Sequence, residues 1–287
     1  MEERPDVFPP IVVSMVNAGE AGGVLDIVLN RLAAHFEKEH KMNEKVKSAM
    51  TYPAVVIGMA ILSLTFILTF VFPTFIQMFT NMKVELPLPT RILLGISNFI
   101  RDYWPILTAA AGAGVYSLIW LLKKPETRKY LDPFLLRLPI FGMLFKKIAI
   151  ARFSRTLSTL VRGGVPIIMA LDVVKKTTGN TYMINAITSA QVSIKEGLGL
   201  AAPLGASAVF TPMVVQMVAV GEETGELDKM LEKIADFYES DVDDILGRLS
   251  ALLEPVLVGV LGVVIGLIII SIVLPLFEVV TKFNTTI

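Results

Sequence analysis

Three long apolar stretches interrupt a chain that is otherwise amphipathic. No charged residue occurs from Ser48 to Met82, from Tyr103 to Leu122, or from Pro255 to Phe277. A helix needs roughly 20 mostly apolar residues to cross a hydrocarbon core. Buried helices of soluble domains seldom run so long without a polar face. Each stretch therefore predicts a transmembrane helix, the form that satisfies its own backbone groups in lipid. Between them the apolar positions recur at three-to-four spacing. Leu227, Met230, Leu231, Ile234, Phe237 or Tyr238, Val242, Ile245 and Leu249 make one such stripe, and Leu25, Val28, Leu29, Leu32 and Phe36 make another. No segment sustains strand alternation. The fold class expected is an all-α membrane protein with three transmembrane helices and cytoplasmic helical bundles.

Lys and Arg near the ends of the stretches set the orientation. Lys38, Lys41, Lys45 and Lys47 precede the first. Lys123, Lys124, Arg128, Lys129, Arg137, Lys146, Lys147, Arg152 and Arg155 follow the second, opposed by Glu126 and Asp132. The loop between the first two is mixed: Lys83, Glu85, Arg91, Arg101 and Asp102. Only Glu278 and Lys282 follow the third. The resulting division is a cytoplasmic helical segment over 1–47, a first span within 48–80, an external loop over 81–102 and a second span over 103–122. A cytoplasmic six-helix bundle over 123–253, a third span over 254–278 and an external tail over 279–287 complete it. The basic band from Lys123 to Arg155 reads first as an anchor beside anionic headgroups.

The chain also resembles itself. Shifted by 202 positions, residues 8–75 fall on 210–277 without a gap, pairing Gly19-Glu20 with Gly221-Glu222, Gly23 with Gly225, and Leu25-Asp26 with Leu227-Asp228. Pro53 meets Pro255 and Pro73 meets Pro275. Each copy holds a helical hairpin followed by a spanning helix, so the fold is expected to be internally duplicated. The run-up from Arg152 to Val209 has no counterpart before Val7, so the first copy is expected to be N-terminally shortened, by loss of its front half or by a late start of the chain.

Composition narrows the function. Hydrophobic residues are 54% and charged residues 18%, and 26 basic side chains balance 26 acidic ones. No bulk field attracts nucleic acid, so no direct nucleic-acid contact is expected. With no cysteine, thiolate catalysis and Cys-ligated metal are excluded. His35 and His40 are the only histidines and lack ligand partners at metal spacing, so both are assigned to a solvated helix face. No phosphate-binding GxxxxGK[ST] motif occurs, so the chain is not a nucleotide-driven motor.

The sharpest polar motif is Gly221-Glu222-Glu223-Thr224-Gly225, followed by Leu227 and echoed by Gly19, Glu20 and Gly23. Its two readings are a tight inter-helical turn with acidic capping and a docking surface for a cytoplasmic partner. Adjacent carboxylates point apart on one turn, and no nucleophile accompanies them, so neither a catalytic pair nor any enzyme is expected. Gly163, Gly164 and Pro166 read as a tight turn into a helix. Thr211-Pro212 reads as an N-cap and first helical position, Thr178-Gly179-Asn180 as a helix stop and turn, and residues 195–205 as a loop. Glu254-Pro255 marks the cytoplasmic mouth of the third span. No charged residue lies in the three charge-free runs, which argues against the alternative of a small polytopic transporter or channel, and an intramembrane enzyme would need a Ser or Asp dyad where only isolated Ser63, Ser117 and Ser271 occur. Gly262 and Gly266 form a small-xxx-small pair suited to close packing or a dimer seam.

The stretches GEETGELDKMLEKIADFYE at 221–239, LEPVLVGVLGVVIGLIIISIVLPLF at 253–277, GEAGGVLDIVLNRLAAHFE at 19–37, FSRTLSTLVRGGVPIIMAL at 153–171 and LPLPTRILLGIS at 86–97 together resemble the F family of type II secretion. This is the inner-membrane platform family shared with type IV pilus assembly machines. The resemblance covers about residues 8–280. It implies a multi-pass protein of the cytoplasmic (inner) membrane with a cytoplasmic N-terminus, no cofactor and no metal. The implied role is mechanical: coupling a cytoplasmic secretion or pilus ATPase to assembly of pilin or pseudopilin and to protein transport. The implied partners are that ATPase, the pilin or pseudopilin, inner-membrane adaptor proteins, the lipid bilayer and further copies of the chain.

Overall fold

The computed structural model describes residues 1, 4, 7–81, 86–123, 141–178, 180–207 and 209–285, and these are helical with no strand among them. The elements are α1 (Pro10–Gly22), α2 (Leu25–Phe66), a π-helical turn (Ile67–Val71), α3 (Phe72–Asn81), α4 (Leu88–Lys123) and α5 (Phe141–Arg162). They continue with α6 (Ile167–Thr177), α7 (Thr181–Lys195), α8 (Ala201–Gly205), α9 (Pro212–Thr224) and α10 (Leu227–Thr285). They form two compact units, one of residues 1–47 and 121–246, the other of residues 48–120 and 247–287.

In the first unit the N-terminal segment is not a separate bundle. Ile11, Met15 and Val16 of α1 and Val28, Leu32 and Met42 of α2 share one core with α5–α10. The middle of that core is α5, whose Ile150, Phe153, Leu157 and Leu160 are at most 1% exposed. Their 3-4-3 spacing places them on one face, and burying each contributes roughly 1.5–3 kcal/mol. The α10 stripe buries Leu231, Ile234, Tyr238, Val242 and Leu249, while Phe237 stays half exposed. The matching α2 stripe buries only Val28 and Leu32 fully, leaving Leu25 and Leu29 exposed. Between Lys195 and Gly205 the chain is a loop only as far as Leu200, because α8 occupies the rest.

Side-chain contacts fix the direction of three helices. Arg31, His35 and Asn43 of α2 meet the Arg162 carbonyl, Thr159 and Arg152 of α5, so the two run antiparallel. Asp228, Asp236 and Asp241 of α10 meet Arg162, Arg155 and Lys147 in the same descending order. Lys38 and Lys45 pair with Asp236 and Asp243, so α2 and α10 run parallel, with α5 bonded to both.

The second unit has a small interior of Phe72, Ile76 and Phe79, packed by Leu86, Leu93, Leu94 and Ile272. Most of its apolar surface faces outward: Leu62 is 68% exposed and Phe70 66%. Two helical runs, Leu25–Asn81 and Leu227–Phe277, are long and apolar enough to cross a membrane, and only 11% of each apolar window is buried. A core helix of a soluble protein would be mostly covered, so this exposed apolar surface is compatible with a membrane. Residues 88–102 are helix rather than loop. Apolar residues at 88, 92, 93, 96, 99 and 100 keep helical spacing, and the early Pro89 is tolerated in a first turn. Thr90 and Ser97 on this stretch are fully buried; Thr90 Oγ1 donates to the Ser271 carbonyl and Ser97 Oγ to the Leu68 carbonyl. Lys83 and Glu85 lie outside the described residues.

Candidate functional site

Two hairpin turns of the first unit are built alike. The bounds of α1 and α9, and the starts of α2 and α10, differ by 202 at every point. Gly23 and Gly225 end their helices in the left-handed region, at φ 64° and 71°, where a Cβ is disfavoured. Gly19 and Gly221 allow the helices of each hairpin to touch. A Cβ on Gly221 would sit 2.9 Å from the Leu227 Cα, and one on Gly19 2.9 Å from the Val28 Cγ2. The glycines of the motif therefore serve geometry. Its carboxylates differ from one another. Glu222 accepts the backbone N–H groups of Leu200 and Ala201, the latter at 3.0 Å, so it caps α8 from a neighbouring helix. Glu223 is exposed, and the Thr224 hydroxyl donates to the Val220 carbonyl. Glu20 is exposed on the other hairpin.

The α5 helix ends in the turn Gly163-Gly164. Gly164 has φ 80°, and Val165 N–H returns to the Leu160 carbonyl. Pro166 then stands at the N-cap of α6. A Cβ on Gly163 would lie 3.0 Å from the Met15 Cε of α1, so this turn is also a contact point. Thr211 is the N-cap residue of α9, but its hydroxyl bonds Tyr238 at 2.6 Å instead of capping. Asn180 caps α7 through the Tyr182 and Met183 N–H groups; Gly179 lies outside the described residues. Glu254 and Pro255 are exposed within α10.

The densest charged cluster lies where α5 meets α2 and α10. The Arg155 side chain is 9% exposed. It donates to Glu239 at 2.8 and 2.9 Å and to Asp236. Burial alone would lower the Arg155 pKa, but the bonds to Glu239 and Asp236 outweigh it and raise it above the ordinary value. Burial pushes the Asp236 carboxyl up, and the bonds from Arg155 and Lys38 override this and hold it low. One turn-pair away Arg162 reaches Asp228 at 3.3 Å and Glu232 at 2.8 Å. Lys147 bonds Asp241. This overturns the headgroup reading for Lys147, Arg152 and Arg155: Lys147 and Arg155 pair with α10 carboxylates, and Arg152 donates to Asn43. The stretch Lys124 to Arg137 lies outside the described residues.

His35 belongs to the same cluster and is not solvated. It is 6% exposed, and its Nδ1 lies 3.2 Å from Thr159 Oγ1, which itself donates to the Arg155 carbonyl. That engagement makes Nδ1 the donor. Burial, helped by Arg155 and opposed by Glu39 and Glu239, lowers the His35 pKa. Beside it is a cavity of about 260 Å³ whose walls include His35, Met42, Phe153, Arg155 and Thr177. The missed signal was complementary periodicity. Asp228, Glu232, Asp236, Glu239 and Asp243 form one acidic face of α10, Arg31, Lys38 and Lys45 recur every seven residues on α2, and Arg155 and Arg162 are also seven apart.

The sequence model described as type II secretion system (T2SS), protein F matches residues 1–73 and 153–275. The chain belongs to this family. Among its relatives, the type IV pilus assembly protein PilC of Myxococcus xanthus is 45% identical over 97% of this chain and 67% of its own length. PilC of Thermus thermophilus is 43% identical over 96% of this chain and 68% of its own. The type II secretion system protein F of Xanthomonas campestris is 36% identical over 97% and 69%. The family match includes both glycine hairpins and, on α5, Arg155 and Arg162.

Proposed function

We propose that this chain is the inner-membrane platform of a type II secretion or type IV pilus machine. It couples a cytoplasmic secretion ATPase to pilin or pseudopilin assembly and protein transport. The observation that carries the reading is the 45% identity to a pilus assembly protein across almost the whole chain. Three spans are inferred: the two apolar runs of α2–α3 and α10, and α4, whose residues 103–114 are exposed throughout and carry no charge from Tyr103 onward. The first unit is assigned to the cytoplasm with the N-terminus, because Lys38, Lys41, Lys45 and Lys47 before the first span and Lys123, Lys124, Arg128 and Lys129 after the second lie beside the span ends there. The matching bounds and glycine geometry of the two hairpins support descent from a duplicated element. No bond is made or broken by the chain. The ATPase displaces the first unit, and α2 and α10, which belong to both units, carry the displacement into the membrane. Glu223 and Glu20, the exposed carboxylates of the two turns, are assigned to the partner-facing surface.

Topology is testable because the native chain has no cysteine. In intact cells an impermeant thiol reagent should label Thr285→Cys and spare Lys195→Cys until the cells are opened. Labelling of Lys195→Cys from outside would sink the orientation. Deleting the gene in its own organism should abolish surface fibres or secretion of a substrate protein. Unchanged fibres and secretion would sink the platform role.

A further inference from the structure

Two prolines at corresponding positions open the same kind of gap in two different helices. Pro275 has no N–H, so the Ser271 carbonyl four residues back has no main-chain donor. Thr90 Oγ1 of α4 donates to that carbonyl at 2.8 Å. Pro73 lies in the other copy of the repeat. There the ladder has slipped to π spacing, with the Phe72 N–H on the Ile67 carbonyl. The next acceptor in that series is the Leu68 carbonyl, whose donor would be the missing N–H of Pro73. Ser97 Oγ of α4 donates to it instead. Thr90 and Ser97 are both 0% exposed and neighbour the apolar cluster of Phe72, Ile76, Leu93 and Ile272. A bare carbonyl in such surroundings is costly. Seven residues are close to two helical turns, so the two hydroxyls lie on one face of α4, about 10.5 Å apart along its axis.

We propose that Thr90 and Ser97 are positioning residues of the membrane unit: their hydroxyls dock α4 on the two carbonyls that Pro275 and Pro73 leave open. Apolar side chains alone would hold α4 weakly in lipid, because hydrocarbon tails satisfy them equally well from any side. Sliding α4 by one turn would keep much of the apolar contact but strip both carbonyls at once. The pair of hydroxyls therefore sets the register. The proposal holds whichever machine the chain serves.

A double-mutant cycle in the full chain, unfolded reversibly in mixed detergent micelles, tests it. Thr90→Val removes the donor at nearly constant shape, and Pro275→Ala restores the main-chain N–H that makes the hydroxyl redundant. Thr90→Val is expected to shift the unfolding equilibrium about threefold to tenfold in the native background and to have almost no effect beside Pro275→Ala. Thr90→Ser should behave as the parent. Ser97→Ala with Pro73→Ala should reproduce the pattern. Equal losses from Thr90→Val in both backgrounds would overturn the proposal, since Thr90 would then be only packing. If Thr90→Val does not fold, its recovery on adding Pro275→Ala supports the proposal, and continued failure overturns it.

Discussion

Replacing Arg155 by methionine isolates what the charged cluster contributes. The substitution keeps most of the side-chain volume but removes a guanidinium that is 9% exposed and bonded to two carboxylates. The two are not stranded equally. Asp236 is half exposed and keeps Lys38 at 3.2 Å, whereas Glu239 is 23% exposed and loses both of its Arg155 bonds. Removing one partner of a buried pair costs roughly 3–5 kcal/mol. With one carboxylate rescued by lysine and solvent, the lower end applies, about 3 kcal/mol. Hydrogen exchange of the α5 amides in the detergent-solubilised full chain should then accelerate roughly 150-fold. Adding Glu239→Gln removes the stranded charge and should recover about half of the loss, while α4 amides exchange as before. An Arg155→Met chain exchanging within about threefold of the parent, or no recovery with Glu239→Gln, would refute the reasoning.

Four further outcomes follow from the same geometry. Gly221→Ala should destabilise the first unit more than Gly19→Ala in thermal melts, because its new Cβ meets the Leu227 backbone at 2.9 Å, whereas the other meets the Val28 side chain at 2.9 Å and backbone, at Leu25, only at 3.4 Å. Glu222→Gln should cost about 1–2 kcal/mol and speed proteolysis within residues 196–201, as a neutral amide replaces a charged acceptor for two N–H groups. The His35 pKa is lowered in the folded chain, so its contribution is intact above the ordinary imidazole value and lost as pH falls through the folded value. Stability should therefore drop from about pH 6.5 downward, and His35→Gln should flatten that slope in pH-dependent unfolding. Glu223→Ala combined with Glu20→Ala should leave the melting temperature unchanged yet weaken co-purification of the ATPase; unchanged recovery would return these residues to the role of plain turn carboxylates.

Local signals in the sequence located the helices of the hairpins well. The glycine pairs at 19/23 and 221/225 need only their own neighbours to act, and their spacing stands in the chain itself. The stripe through Leu231, Ile234, Tyr238 and Val242 was legible for the same reason. What escaped was long-range. Nothing near Arg155 tells it apart from Lys129 until Asp236 and Glu239 are seen across the α5–α10 contact. His35 likewise looks solvated beside Glu37 and Lys38, and is buried only because α5 lies over it. Glu222 was readable as a cap but not as the cap of another helix. The segment 88–102 reads as a loop because Arg91, Arg101, Asp102 and Pro89 lower its hydropathy, although its apolar spacing is helical. Hydropathy also scores Thr90 and Ser97 as mild interruptions, whereas their roles depend on prolines 185 and 24 residues distant in sequence.

Those hydroxyls and prolines carry a consequence for how this lineage can drift. A proline and a side chain on a different helix are tied by a single main-chain oxygen, so the order in which the two positions change matters. Losing Pro275 first releases position 90 to any small residue, while losing the hydroxyl first is penalised until the proline goes. Substitution histories across the family should accordingly show one permitted order of replacement, and an apolar residue at position 90 should be met only in branches where the imino acid had already vanished.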